Sequence, residues 1–435
     1  MMKTHKPLIA LFLTLPLFCG AADFVKVKGV QFTRDNKPYY FIGANFWQGM
    51  NLGSKGPGGD RAKLVRELDR LQAMGITNLR IMAASEGPDT EPWRMVPALQ
   101  KSPGVYDEAV MDGLDFFISE LGARNMTAVV TLNNFWPWSG GMAQYVSWHG
   151  GGAIPYPPPA EGGDWGKFQK YSAQFYSNKA AVKNFRDVVK TLITRMNPYT
   201  QRSYADEPAI MAWQLANEPR GSSNTKDFNI WISETASFIK SLDRNHLVTV
   251  GSEGDTPSPV NAGNDFIKNH SSPNIDYATI HIWVTNWDWF DPLKKDETYP
   301  VAVRKMKDYF KSHVERATTF GKPVVLEEFG IGRAGGSYDP KADVVLRDQF
   351  YKEVFNEAYQ SAKIGSPLAG VAFWAWAGEN RPPRPGAPWK PGDPWLGDPP
   401  HEFQGWYSVY DCDTTTVKVI TEFAAKFNAL SSTEK

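Results

Sequence analysis

The sequence predicts an α/β fold, a single (β/α)8 TIM barrel with an N-terminal β-hairpin and long loops after strands 3 and 8. Three observations predict it. Short apolar runs of strand length recur eight times, at 40–43, 78–82, 127–132, 210–215, 247–251, 277–283, 323–328 and 370–376. Between them lie stretches such as 61–74, 109–124, 180–196, 228–242, 301–319 and 342–362, where apolar residues recur at three- and four-residue spacing. One of the runs ends in a glutamate and another is followed by one three residues on, and in parallel barrels the strand C-termini are where chemistry is assembled.

In chain order, residues 1–22 carry the three parts of a signal peptide: Lys3 and Lys6, the apolar run from Pro7 to Phe18, then Cys19-Gly20-Ala21-Ala22. Export is therefore expected, to a secreted or periplasmic location, with lipid attachment through Cys19 as the alternative. After cleavage near Ala22 only Cys412 remains, so no internal disulfide is expected. Residues 24–40 hold two β-rich runs around Asp35-Asn36-Lys37, suited to a hairpin closing the bottom of a barrel. The loops 133–177 and 378–407 are rich in Gly, Pro and Trp and exceed what a barrel needs, so both are expected to wall a cleft. No linker or repeat divides residues 23–435, which are expected to form one catalytic barrel, and no later segment is apolar enough to cross a membrane.

The 47 basic and 47 acidic residues cancel, which leaves no electrostatic case for nucleic acid. The excess lies in the aromatics: 16 Trp, 17 Tyr and 25 Phe are more than core packing asks for, and flat platforms for sugar rings are the natural use of the remainder. No Gly-rich phosphate loop follows a strand, no spaced Cys or His pair marks a metal, and no Gly-x-Ser-x-Gly elbow is found. Neither a cofactor nor a metal is implied, and no obligate protein partner is evident.

Glu218 follows the fourth run in Trp213-Gln214-Leu215-Ala216-Asn217-Glu218-Pro219-Arg220, where Pro219 stops the strand. Glu328 ends the seventh in Val325-Leu326-Glu327-Glu328-Phe329-Gly330. Two carboxylates facing one another across a barrel mouth can split a glycosidic bond. A gap of about 5–5.5 Å leads to retention and about 6.5–9.5 Å to inversion. Neighbouring strand residues face opposite ways. Glu328 is thus expected in the mouth, with Glu327 turned toward the helix layer and paired.

Asn217-Glu218-Pro219 with Glu328-Phe329-Gly330 resembles glycoside hydrolase family five across nearly the whole mature chain. Three further stretches resemble its β-mannanase branch: Asn133-Asn134-Phe135-Trp136 with Gly140-Gly141 and Gln144-Tyr145; His281-Ile282-Trp283; and Gln404-Gly405-Trp406-Tyr407-Ser408-Val409. The resemblance implies that Glu218 is the acid/base and Glu328 the nucleophile of a retaining enzyme. By the same resemblance Asn217 bonds the sugar 2-hydroxyl and Arg80 holds the nucleophile ionised. Asn134 lies beside the sugar, His281 lines the site near the acid/base, and Trp374 forms the floor, with Trp376 sharing its face by parity. Trp283 stands where many relatives carry a tyrosine bonded to the nucleophile, so its role stays open between that bond and shaping the sugar site. Trp47, Trp136, Trp138, Trp287 and Trp395 are candidate outer platforms, with ordinary packing the alternative.

The expected activity is hydrolysis of β-1,4-mannosidic bonds in β-mannan or mannooligosaccharides, with Glu218 raised and Glu328 depressed in pKa. Exo-action on the same scaffold is the alternative, since the loop after the eighth strand can wall off one end of the cleft. A β-glucan-active relative and a non-catalytic sugar-binding barrel are the more distant readings.

Overall fold

The computed structural model describes residues 23–432. The signal-like segment and Cys19 lie outside the described residues. The chain opens with a three-stranded antiparallel sheet, Lys26–Lys28, Gln31–Arg34 and Lys37–Pro38, one strand more than the expected hairpin. Asp35 and Asn36 link the last two strands, both with left-handed backbone (φ 52° and 60°), the two-residue turn that matches strand twist. Phe32 meets the ring of Tyr277 edge-on at 5.2 Å. With Val25, Tyr39, Val129, Met211 and Leu247 these two form an apolar cluster that seals the N-terminal end of the barrel. Burying a side chain such as Phe32 contributes about 2–3 kcal/mol.

The eight expected barrel strands are present: β1 (Phe41–Asn45), β2 (Asn78–Met82), β3 (Thr127–Thr131), β4 (Ile210–Gln214), β5 (Leu247–Thr249), β6 (Ala278–Ile282), β7 (Val324–Phe329) and β8 (Leu368–Phe373). Every residue in them is buried, which is why they read as continuous apolar runs and not as alternating ones. Parallel ladders run in the order β5-β4-β3-β2-β1-β8-β7-β6. Where β5 meets β6 the ladder gives way to separate bonds. Thr249 Oγ1 donates to Tyr277 O (2.9 Å), Thr279 Oγ1 donates to Ser252 O (2.7 Å), and the His281 amide donates to Glu253 O (3.0 Å). The barrel is thus closed at one seam by a mixture of threonine hydroxyls and isolated backbone bonds.

The six expected helices surround it: α1 (Arg61–Ala73), α2 (Glu108–Ala123), α3 (Lys179–Ile193), α4 (Thr225–Leu242), α5 (Lys295–Phe320) and α6 (Val345–Lys363). Asp60, Asp107 and Asn178 cap the first three, their side chains accepting from backbone amides of the first turn. A seventh, α7 (Thr414–Ser432), was not expected. It packs on α6 through Phe423 against Phe355, and Ser431 Oγ accepts from the Tyr40 amide (2.9 Å) and donates to Tyr40 O (3.1 Å), at the entry to β1. Among the described residues no helix is long and apolar enough to cross a membrane.

Both long loops are built. The one after β3 contains the helices Gly141–Val146 and Trp165–Ser172. The one after β8 folds around Asp398, whose carboxylate accepts from the amides of Gly405 (2.9 Å) and Tyr407 (2.6 Å) and from Ser408 Oγ (2.5 Å).

Candidate active site

Glu218 and Glu328 face one another at the C-terminal mouth of the barrel, just past the end of β4 and near the end of β7. Both are buried, and one carboxylate oxygen of each lies within 4.8 Å of the other and of a His281 ring nitrogen. Glu218 has a left-handed backbone (φ 47°), a conformation that costs a glutamate free energy and clusters at functional sites. Its amide donates to Gly251 O (3.0 Å), which fixes this turn against the end of β5.

Each carboxylate has its own set of donors. On Glu218, Oε1 takes His281 Nδ1 at 2.7 Å and Oε2 takes Trp136 Nε1 at 2.6 Å. Glu328 Oε1 accepts from Arg80 Nη1. The same guanidinium donates to Asn45 Oδ1 (3.1 Å), Asn217 Oδ1 (2.7 Å) and Gln214 Oε1 (2.8 Å). Trp283 Nε1 sits between the two glutamates, 3.3 Å from Glu218 Oε1 and 3.2 Å from Glu328 Oε2. Of the two roles left open for Trp283 both features are present: the indole lies within hydrogen-bond reach of the Glu328 carboxylate, and the ring lines the cavity.

Two expectations about direction are corrected. Glu327 does not turn toward the helices. The β6–β7 register shifts so that Ile280 pairs with Leu326 and His281 with Glu328, and this bulge overrides strand parity. Glu327 therefore lies inside the barrel beneath the site, accepting from Gln214 Nε2 (2.6 Å). Asn134 is not beside the cavity either. Its Oδ1 accepts from Asn217 Nδ2 and from the Trp136 amide, both at 3.1 Å, so it holds Asn217 from behind. Trp374 lines the cavity, whereas Trp376 is buried and donates Nε1 to Glu67 Oε2 (2.9 Å). Parity fails there because β8 stops at Phe373 and Trp376 opens a separate short strand paired with Val409–Tyr410.

The cavity has a volume of about 500 Å³. Of the outer platform candidates Trp136, Trp138 and Trp287 line it. Trp47 and Trp395 do not: they donate Nε1 to Gly397 O and Gly58 O (2.8 Å each) and pack edge to face at 5.9 Å. Above the site Trp165, from the β3 loop, meets His401, from the β8 loop, with ring centroids 5.9 Å apart. The two long loops therefore touch across the cavity.

Several site residues escaped sequence reading. Arg220 makes a two-pronged pair with Glu253 (2.7 and 2.8 Å), and its guanidinium stacks 4.8 Å from the Trp136 ring centroid. Burial drives the Glu253 carboxyl up to about 7 against the charge of Arg220. Glu253 shortly follows a strand end, as Glu218 does, and that shared signal could have found it. Glu402 lines the cavity too, pushed up by burial and by the charges of Asp398, Glu218 and Glu328. A neutral carboxyl at that place offers a sugar both a donor and an acceptor.

The proton distribution departs from expectation. Burial pushes Glu218 up, but the bond and charge of His281, the charge of Arg220 and the bond from Trp136 prevail and hold it at about 2. Burial pushes His281 down, but the Glu328 charge and the bonds to Glu218, Glu327 and Glu328 prevail and raise it well above 6.5. Both shifts favour a carboxylate at Glu218 and a proton on His281, one hydrogen bond away.

A barrel with two carboxylates at the β4 and β7 tips, beneath a tryptophan-lined cavity, defines a glycoside hydrolase. The chain belongs to glycoside hydrolase family 5: the family model described as family 5 β-mannosidase-like matches residues 22–432. A family 5 mannosidase from Rhizomucor miehei superposes with a TM-score of 0.86 at 40% identity, covering 94% of this chain and 98% of that one. A putative mannan endo-1,4-β-mannosidase 4 from Arabidopsis thaliana is 32% identical, over 95% of this chain and 93% of its own. Mannan endo-1,4-β-mannosidase 5 from Solanum lycopersicum is 34% identical, over 81% and 80%.

Proposed function

We propose that the enzyme hydrolyses β-1,4-mannosidic bonds with retention at the anomeric carbon. The observation that carries the mechanism is the approach of the Glu218 and Glu328 oxygens to within 4.8 Å, which leaves no space for the water an inverting enzyme holds between them. In the first step Glu328 attacks the anomeric carbon. The glycosidic bond breaks, and its electron pair goes to the leaving oxygen, which takes a proton from Glu218. His281 supplies that proton across the 2.7 Å contact. In the second step Glu218 removes a proton from water, whose oxygen attacks the same carbon and returns the ester electrons to Glu328, and the proton passes back to His281 across the same contact. Asn217, held by Arg80 and Asn134, is placed to bond the 2-hydroxyl, an interaction that strengthens as the ring flattens. Nuclear magnetic resonance of a mannooligosaccharide digest tests this: β-anomer released first supports it, and α-anomer first would falsify it.

The mannan substrate is supported by the names of the relatives and of the Rhizomucor miehei mannosidase. Endo-action is what the plant relatives' names describe. The Trp165–His401 contact favours a second reading, in which short oligosaccharides or chain ends are the preferred substrates because the roofed cavity admits few sugars. A product time course on mannohexaose and galactomannan separates the two: mixed short oligomers with a fast viscosity drop, or mannose with viscosity nearly unchanged. The signal-like pattern of residues 1–22 supports export, and secretion of the full chain by its native host tests it.

A further inference from the structure

A second groove of about 460 Å³ lies on the far side of the wall that bounds the catalytic cavity. One side is formed by Trp93, from the loop after β2, and the other by Tyr156 and the segment that follows it. That segment faces two ways: Pro158, Pro159 and Trp165 line the catalytic cavity, while Pro155, Tyr156 and Ala160 line the groove.

Trp93 is the unusual residue. Its backbone is left-handed (φ 54°), a conformation suited to Gly or Asn and strained for a bulky side chain. Its ring is only half-buried, so the strain does not serve to fill the core. The ring instead stands edge-on to Tyr156, with centroids 5.5 Å apart. Tyr156 is fixed in turn: its hydroxyl donates to Glu91 Oε2 (2.6 Å) and accepts from Arg94. Arg94 is fully buried and anchored on Glu86 O (2.9 Å) and Gln144 Oε1 (2.8 Å). The opposite wall is equally set, because the Ala160 amide bonds Pro157 O (3.1 Å) and the Gly163 amide bonds Ala160 O (2.9 Å). Exposed Glu161, Asp164 and Lys167 rim the groove.

A rigid indole in a preformed groove, ringed by carboxylates and an amine, suits a sugar ring, whose apolar face stacks while its hydroxyls meet the charged rim. Nucleic acid does not fit a rim with two acids and one base. We propose that this groove is a second carbohydrate site, which holds β-mannan on the outer side of the wall that bounds the catalytic cavity. The proposal rests on the mannan reading above for the identity of the polymer, and on the half-buried Trp93 ring and its charged rim for the site itself.

Affinity electrophoresis tests it, comparing Glu328→Gln with Glu328→Gln/Trp93→Asn in gels containing galactomannan, arabinoxylan or no polysaccharide. Asn accepts the left-handed backbone, so the indole is removed without new strain. Galactomannan is expected to retard the single variant, and the double variant's affinity is expected to fall about tenfold, as for a typical aromatic anchor. Equal retardation of both, or none of either, overturns the proposal, and so does equal retardation by arabinoxylan. With residue 328 intact, Trp93→Asn is expected to turn over mannotriose at the parental rate; a matching loss there makes Trp93 a structural support and also overturns it. Failure of the mannosidic reading shows separately, as no cleavage of mannotriose by the wild-type enzyme.

Discussion

His281 Nδ1 lies 2.7 Å from Glu218 Oε1, which joins the proposed acid/base to an imidazole that also stands 3.3 Å from Glu328 Oε2. One proton is therefore shared by a coupled pair, and the pair, more than either residue, should set the basic limb of the pH profile. In His281→Asn that limb should move to lower pH, and kcat at pH 7 should fall about 100-fold. An unmoved limb would exclude His281 as the proton store.

The same pair links pH to stability. His281 binds its proton more tightly folded than unfolded, so its contribution is complete below pH 6.5 and is lost as pH rises through the folded value. Glu218 binds its proton less tightly folded, so its contribution is complete above pH 4.5 and is lost as pH falls toward 2. Both are in force between pH 4.5 and 6.5, where urea denaturation should find a stability plateau that His281→Asn flattens. A variant with the parental pH dependence contradicts the linkage.

Arg80 spends its three nitrogens on Glu328, Asn45, Asn217 and Gln214 at once. A lysine brings one point charge and cannot satisfy that geometry. Arg80→Lys should lower kcat/KM at least about 100-fold, the scale of losing one preorganised donor. Retention of more than a tenth of the activity would show that charge alone suffices.

Gly141 has a left-handed backbone (φ 59°), and a Cβ there would stand 2.2 Å from Asn134 O. Gly141→Ala should displace Asn134 and with it Asn217. The expected cost is about 2–3 kcal/mol of stability, from overpacking and strain together, read by urea denaturation beside a fall in kcat/KM. Unchanged stability would mean that the β3 loop yields freely, contrary to its packing.

The roof above the cavity should be adjustable. Trp165→Ala removes the ring that meets His401 and should raise the rate of galactomannan viscosity loss relative to mannotriose turnover. Burial holds His401 down at about 3, so the roof keeps its charge state throughout neutral and mildly acidic pH. A ratio unaltered by the substitution would place the limit on chain entry elsewhere.

The barrel was legible because its strands are buried on both faces and its helices are amphipathic, so the two periods alternate openly along the chain. The facing of Glu218 and Glu328 was legible because Pro219 and Phe329-Gly330 mark strand ends. What failed was parity. The bulge that turned Glu327 inward, and the end of β8 before Trp376, are set by pairing with neighbouring strands and leave no trace in the segment itself. The Arg220–Glu253 pair was hidden for a related reason, since it joins residues 33 positions apart whose meeting depends on barrel curvature. The Glu218 proton reversed its expected preference because three neighbours act on it together, and sequence gives none of their distances.

Ser431 grips Tyr40 across 391 positions of chain. During synthesis β1 must wait for β8 before the sheet can close, and for α7 before its outer entry is covered. The ribosome thus carries an open, curved sheet with apolar edges for most of the time the chain is being made, the state in which nascent β-structure is exposed to mispairing. Heterologous production should therefore depend on translation speed and chaperone supply more than on the stability of the finished enzyme.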